Sequence, residues 1–289
     1  MKEEEDTCMQ KAEQNMTEAE FLQNYDLTRY PRPSITVDIV TFGVTGEAER
    51  NYRQDEKKSL SILLIKRGGH PCRGMWALPG GFLQMDETLE ECAYRELREE
   101  TDLRPDTLMP MGAFSQVDRD PRGRIISNSY ISIVDEENVR ALAGDDAAEA
   151  KWFTVQFSEE ADDGTAELIL RNAESDIVIA SKVRHSKTQF GRKEYEVVDS
   201  GGLAFDHAKI IATAFGIVRK YATDFDILFD FMPALFTLSG LQKVQETLLG
   251  ITLLPANFRR KIMPLVEETD LSTHGAGHRP AKLYRQKAV

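Results

Sequence analysis

The chain has 289 residues, of which 29% are charged and 41% are hydrophobic, and its formal net charge is -12. This length predicts about two domains, and no apolar run approaches the roughly 20 residues that cross a bilayer, which excludes a helical membrane protein. The acidic start lacks the apolar segment of a secretory signal, and the scattered cysteines Cys8, Cys72 and Cys92 favour reduced thiols, so we expect a soluble cytoplasmic protein.

The first half of the chain predicts strands around one helix. Residues 1–30 read as a polar, partly disordered leader, and Pro31 and Pro33 then oppose helix. A Pro-Gly-Gly turn precedes a helix predicted from about Glu87 to Thr101. Segments rich in branched and aromatic residues predict strands at Ile35–Val44, Leu60–Arg67, Gly112–Asp118, Ile125–Val134 and Ala150–Val155. This order of elements predicts an α/β or α+β fold.

A hairpin and a connector helix are predicted next. The segments Asp176–Lys182 and Lys193–Asp199 read as strands that pair around Gly191. Apolar residues recur at helical spacing over Leu203–Ala222, which predicts the connector helix. No repeat of 20–50 residues is visible, so solenoid architectures are excluded.

Two more helices and a second hairpin are predicted at the C-terminal end. The first helix begins at Thr237 as its N-cap and ends at Gly250. The second helix begins at Pro255 and packs Phe258 and Ile262 inward. Helix, turn, helix and hairpin is the element order of a winged helix-turn-helix domain.

The charge of the chain changes sign near its end. A net charge of -12 alone speaks against nucleic acid as a partner, yet the residues from Phe236 onward carry eight basic and four acidic side chains. A basic triplet alone is typical of a solvated helix face, whereas in a helix-turn-helix it favours contact with DNA phosphates and guanine edges. The exposed basic positions predicted here are Arg259, Arg260, Lys261, Lys282 and Arg285.

One face of the first predicted helix changes from apolar to acidic. Leu89 and Cys92 begin a stripe that continues into Glu96, Glu99 and Glu100. Three carboxylates within about 10 Å repel one another, so we expect a divalent cation to balance them. Because all the donors are carboxylate oxygens, the pattern favours Mg²⁺ or Mn²⁺ over zinc.

The spacing of charged residues around this helix resembles the Nudix box. Gly81 is followed after five residues by Glu87, and seven residues later by the run Arg95–Glu100. The family pattern ends in glycine where this chain has Asp102, which tolerates the left-handed conformation, so we expect a small stability cost and retained metal binding.

The Nudix resemblance implies an α/β/α sandwich that cleaves a nucleoside diphosphate linked to another group, with metal ions activating water. It implies that Glu96, Glu99 and Glu100 bind the metal and that Arg95 and Glu87 orient them. It further implies that the backbone at Gly80 and Gly81 approaches the phosphates. The catalytic and substrate-binding residues implied are Glu87, Arg95, Glu96, Glu99, Glu100, Gly80 and Gly81.

The turn that contains Arg119 and Arg122 admits two interpretations. Pro121 and Gly123 are ordinary turn residues, so the segment is consistent with a simple hairpin tip. It also resembles Nudix proteins that handle ADP-ribose, in which case Arg119 or Arg122 contacts the ligand through its guanidinium. We take both arginines as substrate-binding candidates.

The C-terminal segments resemble the winged helix of the Nudix-related transcriptional regulators of NAD metabolism, the NrtR family. The strings are "FTLSGLQ", "NFRRKI" and "HRPAKLYR", with "LAFDHAKII" upstream. The resemblance implies that a Nudix domain senses ADP-ribose and that a winged helix binds operator DNA as a homodimer. One departure is Gly240, where a glutamate would complete a capping box. The implied DNA-binding residues are Asn257, Arg259, Arg260, Lys261, Arg279 and Lys282.

Together these patterns predict a DNA-binding regulator that also hydrolyses ADP-ribose or a related compound with Mg²⁺. Two alternatives remain open: a sensor without catalysis, and a pyrophosphatase whose C-terminal domain serves only assembly. The predicted parts are a leader at 1–30, a Nudix domain at 31–165, a hairpin and linker helix at 166–225, and a winged helix-turn-helix domain at 226–289.

Overall fold

A computed structural model describes residues 16–47, 57–105, 108–135, 150–158, 161–189, 192–225, 227–273 and 280–287. The chain divides into a short unit, Met1–Pro33, and a large unit, Ser34–Val289. In the short unit, helix α1 (Glu18–Asn24) begins with a capping box, in which Thr17 and Glu20 accept hydrogen bonds from each other's backbone N–H. The earlier part of the predicted leader lies outside the described residues.

In the large unit, nine strands of the described residues form one sheet in the order β4-β5-β1-β2-β6-β7-β8-β9, with β3 paired to β2. Strands β1 and β5 pair in parallel, and the other neighbours pair antiparallel. The strands are β1 (Ser34–Glu47), β2 (Lys57–Lys66), β3 (Trp76–Ala77), β4 (Leu108–Phe114), β5 (Ile125–Ile133), β6 (Ala150–Phe157), β7 (Thr165–Asn172), β8 (Ile177–Gln189) and β9 (Arg192–Asp199).

Alternation along the central strands builds a core on each face of the sheet. Val37 of β1 and Leu63 of β2 pack in one buried cluster, and Phe42 and Ile62 pack in the other. Helix α2 (Leu89–Thr101) contributes to the first cluster, and α3 (His207–Thr223) contributes to the second. The sheet is therefore covered by helices on opposite faces, as the mixed α/β prediction requires.

The ends of α2 follow from local chemistry. The helix begins after Thr88, whose side chain accepts a hydrogen bond from the N–H of Glu91, while the Glu91 carboxylate accepts one from the N–H of Thr88. It ends at Asp102, whose φ of 55° is left-handed. The expectation that Asp102 replaces the family's glycine in this conformation is confirmed.

The C-terminal elements have the predicted order. They are α4 (Leu238–Leu249), α5 (Pro255–Ile262), β10 (Val266–Ser272) and β11 (Lys282–Gln286). Thr237 caps α4 by accepting a hydrogen bond from Gly240 N–H, and Gly250 ends it with a φ of 68°. Phe258 and Ile262 are buried in the same apolar cluster as the sheet residues facing α3, so the winged helix packs on the second core.

Several strands extend beyond what the sequence predicts. Strand β4 starts at Leu108 and β7 at Thr165, in stretches that we had not predicted as strands. Strands β7, β8 and β9 continue the sheet that contains β1. The predicted pairing of the two segments that flank Gly191 is confirmed, because β8 and β9 pair antiparallel. Gly191 itself lies outside the described residues, and the domain boundaries remain predictions.

Two further properties follow from the described residues. No helix among them is long and apolar enough to cross a membrane. Cys72 and Cys92 are free thiols, and burial raises the pKa of the Cys92 thiol to about 12. Cys8 lies outside the described residues.

Candidate functional site

The glycine pair of the predicted Nudix box lies against the first strand of the sheet. The N–H of Val37 donates to the carbonyl of Gly81 at 2.9 Å. A Cβ at Gly80 would collide with the backbone of Val37, and φ there is 154°. A Cβ at Gly81 would collide with the carboxylate of Glu96. Glycine is thus required at Gly80, where the added atom would meet backbone, whereas at Gly81 a side chain would displace the carboxylate of Glu96.

Arg95, in the middle of α2, donates hydrogen bonds to three carboxylates of the predicted Nudix box. Its guanidinium donates to Glu87 at 2.6 and 2.9 Å, to Glu96 at 2.6 Å and to Glu99 at 3.3 Å. The hydrogen bonds from Arg95 lower the pKa of Glu87 to about 2, and the same bonds raise the pKa of Arg95. Arg95 therefore holds Glu87, Glu96 and Glu99 around one guanidinium.

Glu100, which is partly buried like Glu96, differs from its neighbours in bonding to backbone instead of Arg95. Its carboxylate accepts a hydrogen bond from the N–H of Gly80 at 2.8 Å. Burial, together with the negative charges of Glu96 and Asp38, raises the pKa of Glu100 to about 7, against the opposing effects of the Gly80 hydrogen bond and the positive charge of Arg67. Because Glu96 and Asp38 add negative charge near Glu100, a bound cation would be favourable beside this carboxylate.

The donor set fits a hard divalent cation with few protein ligands. Among the described residues, no three His, Cys, Asp or Glu side chains are already gathered as a metal cage. Magnesium, however, is commonly held by one or two carboxylates together with phosphate oxygens of the substrate. Glu96 and Glu100 both lie at the glycine pair, whereas Glu99 is 53% exposed. Glu96 and Glu100 are the residues that would hold the cation, and Glu99 stays a predicted ligand.

Arg122 lies at an aromatic wall beside the glycine pair. Its guanidinium carbon is 5.0 Å from the centroid of the Phe82 ring and 5.6 Å from that of Phe205. Asp120 accepts hydrogen bonds from this guanidinium at 2.7 and 3.0 Å. Phe82 is 42% exposed, so the wall is open to solvent. The arrangement suits stacking against a planar ligand group and contact with its phosphates.

Arg119, the second predicted ligand arginine, is buried in an ionic network. It donates to Asp206 at 2.7 and 3.1 Å and to Asp38 at 3.2 Å, and its side chain is 4% exposed. Burial would raise the pKa of Asp38, but His207, Arg119 and Ser127 outweigh it and lower that pKa to about 2. In the described structure Arg119 thus contacts protein carboxylates, and its contact with a ligand remains a prediction.

The network joins the glycine segment to the start of α3. The Nδ1 atom of His207 accepts a hydrogen bond from the N–H of Leu78 at 2.9 Å, so the proton of a neutral ring is on Nε2. That Nε2 lies 3.5 Å from Asp38. Since Leu78 is two residues before Gly80, the first turn of α3 is fixed to the backbone that forms the site.

The basic face of α5 is exposed as predicted. Asn257, Arg259, Arg260 and Lys261 are all exposed, between the buried Phe258 and Ile262. In the hairpin of β10 and β11, Lys282 lies 3.1 Å from Glu268. Arg279 lies outside the described residues. The exposed face of α5 is thus available for a polyanion, whereas Lys282 is already paired with an acid.

Comparisons with known proteins identify both modules. The NUDIX domain matches residues 51–171, and the NrtR DNA-binding winged helix domain matches residues 228–286. The ADPR responsive transcriptional repressor NtrR of Acinetobacter baylyi is 32% identical over 273 residues, which cover 93% of this chain and 88% of that protein. The chain belongs to the NrtR family of Nudix-related regulators.

Two further proteins resemble this NrtR family member. The crystal structure of Shewanella oneidensis NrtR complexed with a 27mer DNA has a TM-score of 0.58 and 26% identity, covering 88% of this chain and 93% of that chain. The ADP-ribose pyrophosphatase of Methanocaldococcus jannaschii is 47% identical over 97 residues, which cover 34% of this chain and 56% of that protein. The predicted family and the mixed α/β fold with a winged helix are confirmed.

Sequence reasoning missed the residues that connect the NrtR modules. Asp38 lies 168 positions from Asp206 along the chain, and no local pattern relates the two. One signal was present, because Asp38 is an acid inside an otherwise apolar strand, where a buried charge requires a partner. Phe82 and Phe205 carried no signal, since isolated aromatic residues are ordinary core residues.

Proposed function

We propose that this NrtR family member binds operator DNA through its winged helix and responds to ADP-ribose bound at the Nudix site, which it also hydrolyses with Mg²⁺. The observation that carries this proposal is the position of α3. Its start is bonded to the segment of the glycine pair through His207, and its end contacts α4 through Arg219, which donates to the carbonyl of Leu249 at 2.8 Å. The name of the Acinetobacter relative, an ADPR responsive repressor, supports the ligand and the response.

Hydrolysis is the reaction that the carboxylate arrangement supports. The oxygen of water bonds to one phosphorus of the pyrophosphate and the bridging P–O bond breaks, which gives AMP and ribose 5-phosphate from ADP-ribose. A divalent cation, when bound, polarises the phosphate oxygens and activates water. Arg95 orients Glu87 and Glu96, and Gly80 holds Glu100 by its N–H. The pyrophosphatase of Methanocaldococcus jannaschii supports this part of the proposal.

A sensor without catalysis is the second candidate. Arg95 donates to both Glu96 and Glu99, so its positive charge already balances part of their negative charge without a metal ion. A sensor needs affinity for the ligand and does not need activated water. In that case the Nudix site binds ADP-ribose through Arg122 and the aromatic wall, and DNA affinity changes without turnover.

Turnover distinguishes these two candidates. Glu96→Gln and Glu100→Gln should each abolish Mg²⁺-dependent release of AMP from ADP-ribose, because each removes a charge that holds the cation. Glu90→Gln is the matched control, since Glu90 is an exposed residue of the same helix. If the two site variants release AMP at the wild-type rate, the proposal of hydrolase activity at this site is wrong. If the wild-type chain has no turnover but binds ADP-ribose, the sensor candidate is correct.

DNA binding tests the regulator. Arg259→Ala/Arg260→Ala should weaken binding to promoter DNA and reduce the slope of log affinity against log salt by about two for each bound protomer, or about four for a bound dimer, since each arginine accounts for roughly one released counterion. The control is Lys182→Ala/Arg184→Ala, which removes the same charge from exposed positions of β8. A wild-type chain that ignores this DNA at low salt would contradict the regulator proposal.

Assembly and location belong to the same proposal. A homodimer would place two α5 helices on half-sites one helical turn apart, which a palindromic operator matches. Analytical ultracentrifugation of the full chain measures this state, and a monomer at micromolar concentration with DNA bound would contradict it. A regulator of this kind acts in the cytoplasm, with no membrane partner.

A further inference from the structure

A cavity lies on the face of the sheet opposite α2. It has a volume of about 970 Å³ and lies between β4, β9, α3 and the end of α4. None of the glycines or glutamates of the Nudix site lines it. Ligand pockets are commonly about 300–1,000 Å³, so this volume is large enough for a small organic molecule. The cavity is separate from the site described above.

The wall of this cavity is aromatic. The Phe157 ring packs against Tyr195 with centroids 5.9 Å apart, and against Phe215 with centroids 5.4 Å apart. All three residues line the cavity, and Tyr195 and Phe215 are buried by the surrounding structure. Phe157 is partly exposed, so its ring offers an apolar face to a flat ligand ring, and the buried Tyr195 and Phe215 support it from behind.

The charge of the cavity is one-sided. Lys193, Arg219 and Lys220 line it, and no Asp or Glu is found among the described residues of its wall. Such a concentration of cations is unexpected in a chain with a net charge of -12. Arg219 also lies over the Phe215 ring, with its guanidinium carbon 5.6 Å from the centroid, so the cations adjoin the aromatic cluster.

We propose that this cavity binds an aromatic organic phosphate of mononucleotide size, as a ligand site separate from the Nudix site. The ring packs on Phe157, which Tyr195 and Phe215 support, and the phosphate is bound by Lys193, Arg219 and Lys220. An arginine and two lysines beside an aromatic surface match a ligand with a flat body and a concentrated negative charge.

The charges argue against a second copy of the chain as the occupant. A two-fold interface places the same patch of each copy against the other, so the three cations of each copy would face one another without acids from the patch. Like charges in such a position oppose association. A small anion adds opposite charge beside these cations, whereas a second copy adds like charge.

A ligand here would act on the winged helix through Arg219. This guanidinium donates to the carbonyl of Leu249, the last residue of α4, at 2.8 Å. A phosphate in the cavity competes with the Leu249 carbonyl for the guanidinium of Arg219. Because Leu249 ends α4, its carbonyl has no helical N–H from which to accept a hydrogen bond in place of Arg219. The site is therefore a place where a ligand changes the packing of α3 against α4.

The test uses AMP as the probe and isothermal titration of the full chain. Wild-type protein should bind AMP, with affinity that falls as salt rises from 50 to 300 mM. Gly216→Trp should weaken AMP binding at least tenfold, because Gly216 lines the cavity and its Cβ position has no atom within 4 Å, so the indole has space to occupy the cavity. Gly216→Ala is the matched control and should bind within twofold of wild type.

A charge variant tests the same site independently of cavity shape. Lys193→Gln/Lys220→Gln should bind AMP at least tenfold more weakly, since two charge-assisted contacts are removed. Lys182→Gln, an exposed lysine of β8 outside the cavity, should bind like wild type. This pair decides the question if Gly216→Trp fails to fold, which circular dichroism would show.

The remaining outcomes overturn the proposal. If the wild-type chain does not bind AMP, the proposal is wrong. If Gly216→Trp and the double lysine variant both bind AMP as wild type does, the proposal is also wrong, and AMP is assigned to the Nudix site. If Gly216→Trp instead converts a dimer into a monomer in ultracentrifugation and leaves AMP binding unchanged, the face is an interface between copies. Hydrolysis and DNA binding are measured separately and do not enter this result.

Discussion

Replacing Arg119 by methionine should destabilise the protein by removing the only cation bonded to two buried carboxylates in the described structure. Arg119 donates to Asp206 at 2.7 Å and to Asp38 at 3.2 Å, and all three side chains are at most 10% exposed. Methionine retains the length and the apolar part of the side chain. The substitution therefore leaves two carboxylates in the interior without their guanidinium.

The magnitude follows from the cost of an unpaired buried charge. Breaking a buried ion pair from one side typically costs about 3–5 kcal/mol. His207 and Ser127 still contact Asp38, so we expect the lower half of this range, about 3 kcal/mol. For a chain of this size, each kcal/mol corresponds to roughly 2–4 °C, which gives a decrease in Tm of about 10 °C.

The pH dependence has a defined sign. The pKa of Asp38 is lowered from 3.8 to about 2 in the folded protein, so the stabilisation is present above about pH 4 and is lost as pH falls toward 2. The difference in unfolding free energy between wild type and Arg119→Met should therefore be full at pH 7 and should narrow below pH 4. Urea unfolding followed by circular dichroism at pH 7 and pH 3 measures both values.

A double-mutant cycle isolates the ion pair with Asp206. Because Asp206→Asn removes one of the carboxylates left unpaired, Arg119→Met/Asp206→Asn should lose less stability than the sum of the two single variants. Simple additivity, or a Tm for Arg119→Met within 2 °C of wild type, would refute the reasoning about the buried network.

Three smaller predictions concern the glycine pair, the cap of α4 and the buried carboxylate. Gly81→Ala should lower ADP-ribose binding or turnover at least tenfold, because its Cβ displaces Glu96, whereas Gly68→Ala, with no atom within 4 Å of the added Cβ, should not. Thr237→Ala should cost about 1 kcal/mol in urea unfolding through loss of the N-cap. Burial raises the pKa of Glu100 to about 7, so its ionisation destabilises the fold as pH rises above 4.5, and Glu100→Gln should increase Tm at pH 8 but not at pH 4.5 in metal-free buffer.

Local chemistry was readable from the sequence wherever neighbours along the chain decide the structure. The left-handed Asp102, the caps at Thr237 and Gly250 and the exposed face of α5 all depend on contacts within one or two helical turns. The positions of Gly80 and Gly81 were also predicted, because the spacing of the Nudix box encodes them. Even so, only the structure relates Gly81 to the carboxylate of Glu96.

The features that the sequence did not predict depend on contacts between residues that lie far apart along the chain. Arg119 and Arg122 are three residues apart in one turn, yet the first is buried among carboxylates and the second lies over Phe82. Their sequence environment is nearly the same, so no periodic pattern separates them. The difference comes from Asp206, which reaches the turn only because α3 packs on this face of the sheet.

In the proposed function, α3 is the element that connects the Nudix site to the winged helix. At about 1.5 Å per residue, its 17 residues span roughly 25 Å. Its start is held by the charged contacts of Asp206 and the hydrogen bond of His207, and its end by Arg219 and by Gln245 of α4, which donates to the carbonyl of Ala222. A tenfold change in DNA affinity requires about 1.4 kcal/mol, and one hydrogen bond to a charged group contributes about 1.5–3 kcal/mol. Gain or loss of a single bond at the start of α3 is therefore sufficient for regulation, without unfolding any element of the sheet.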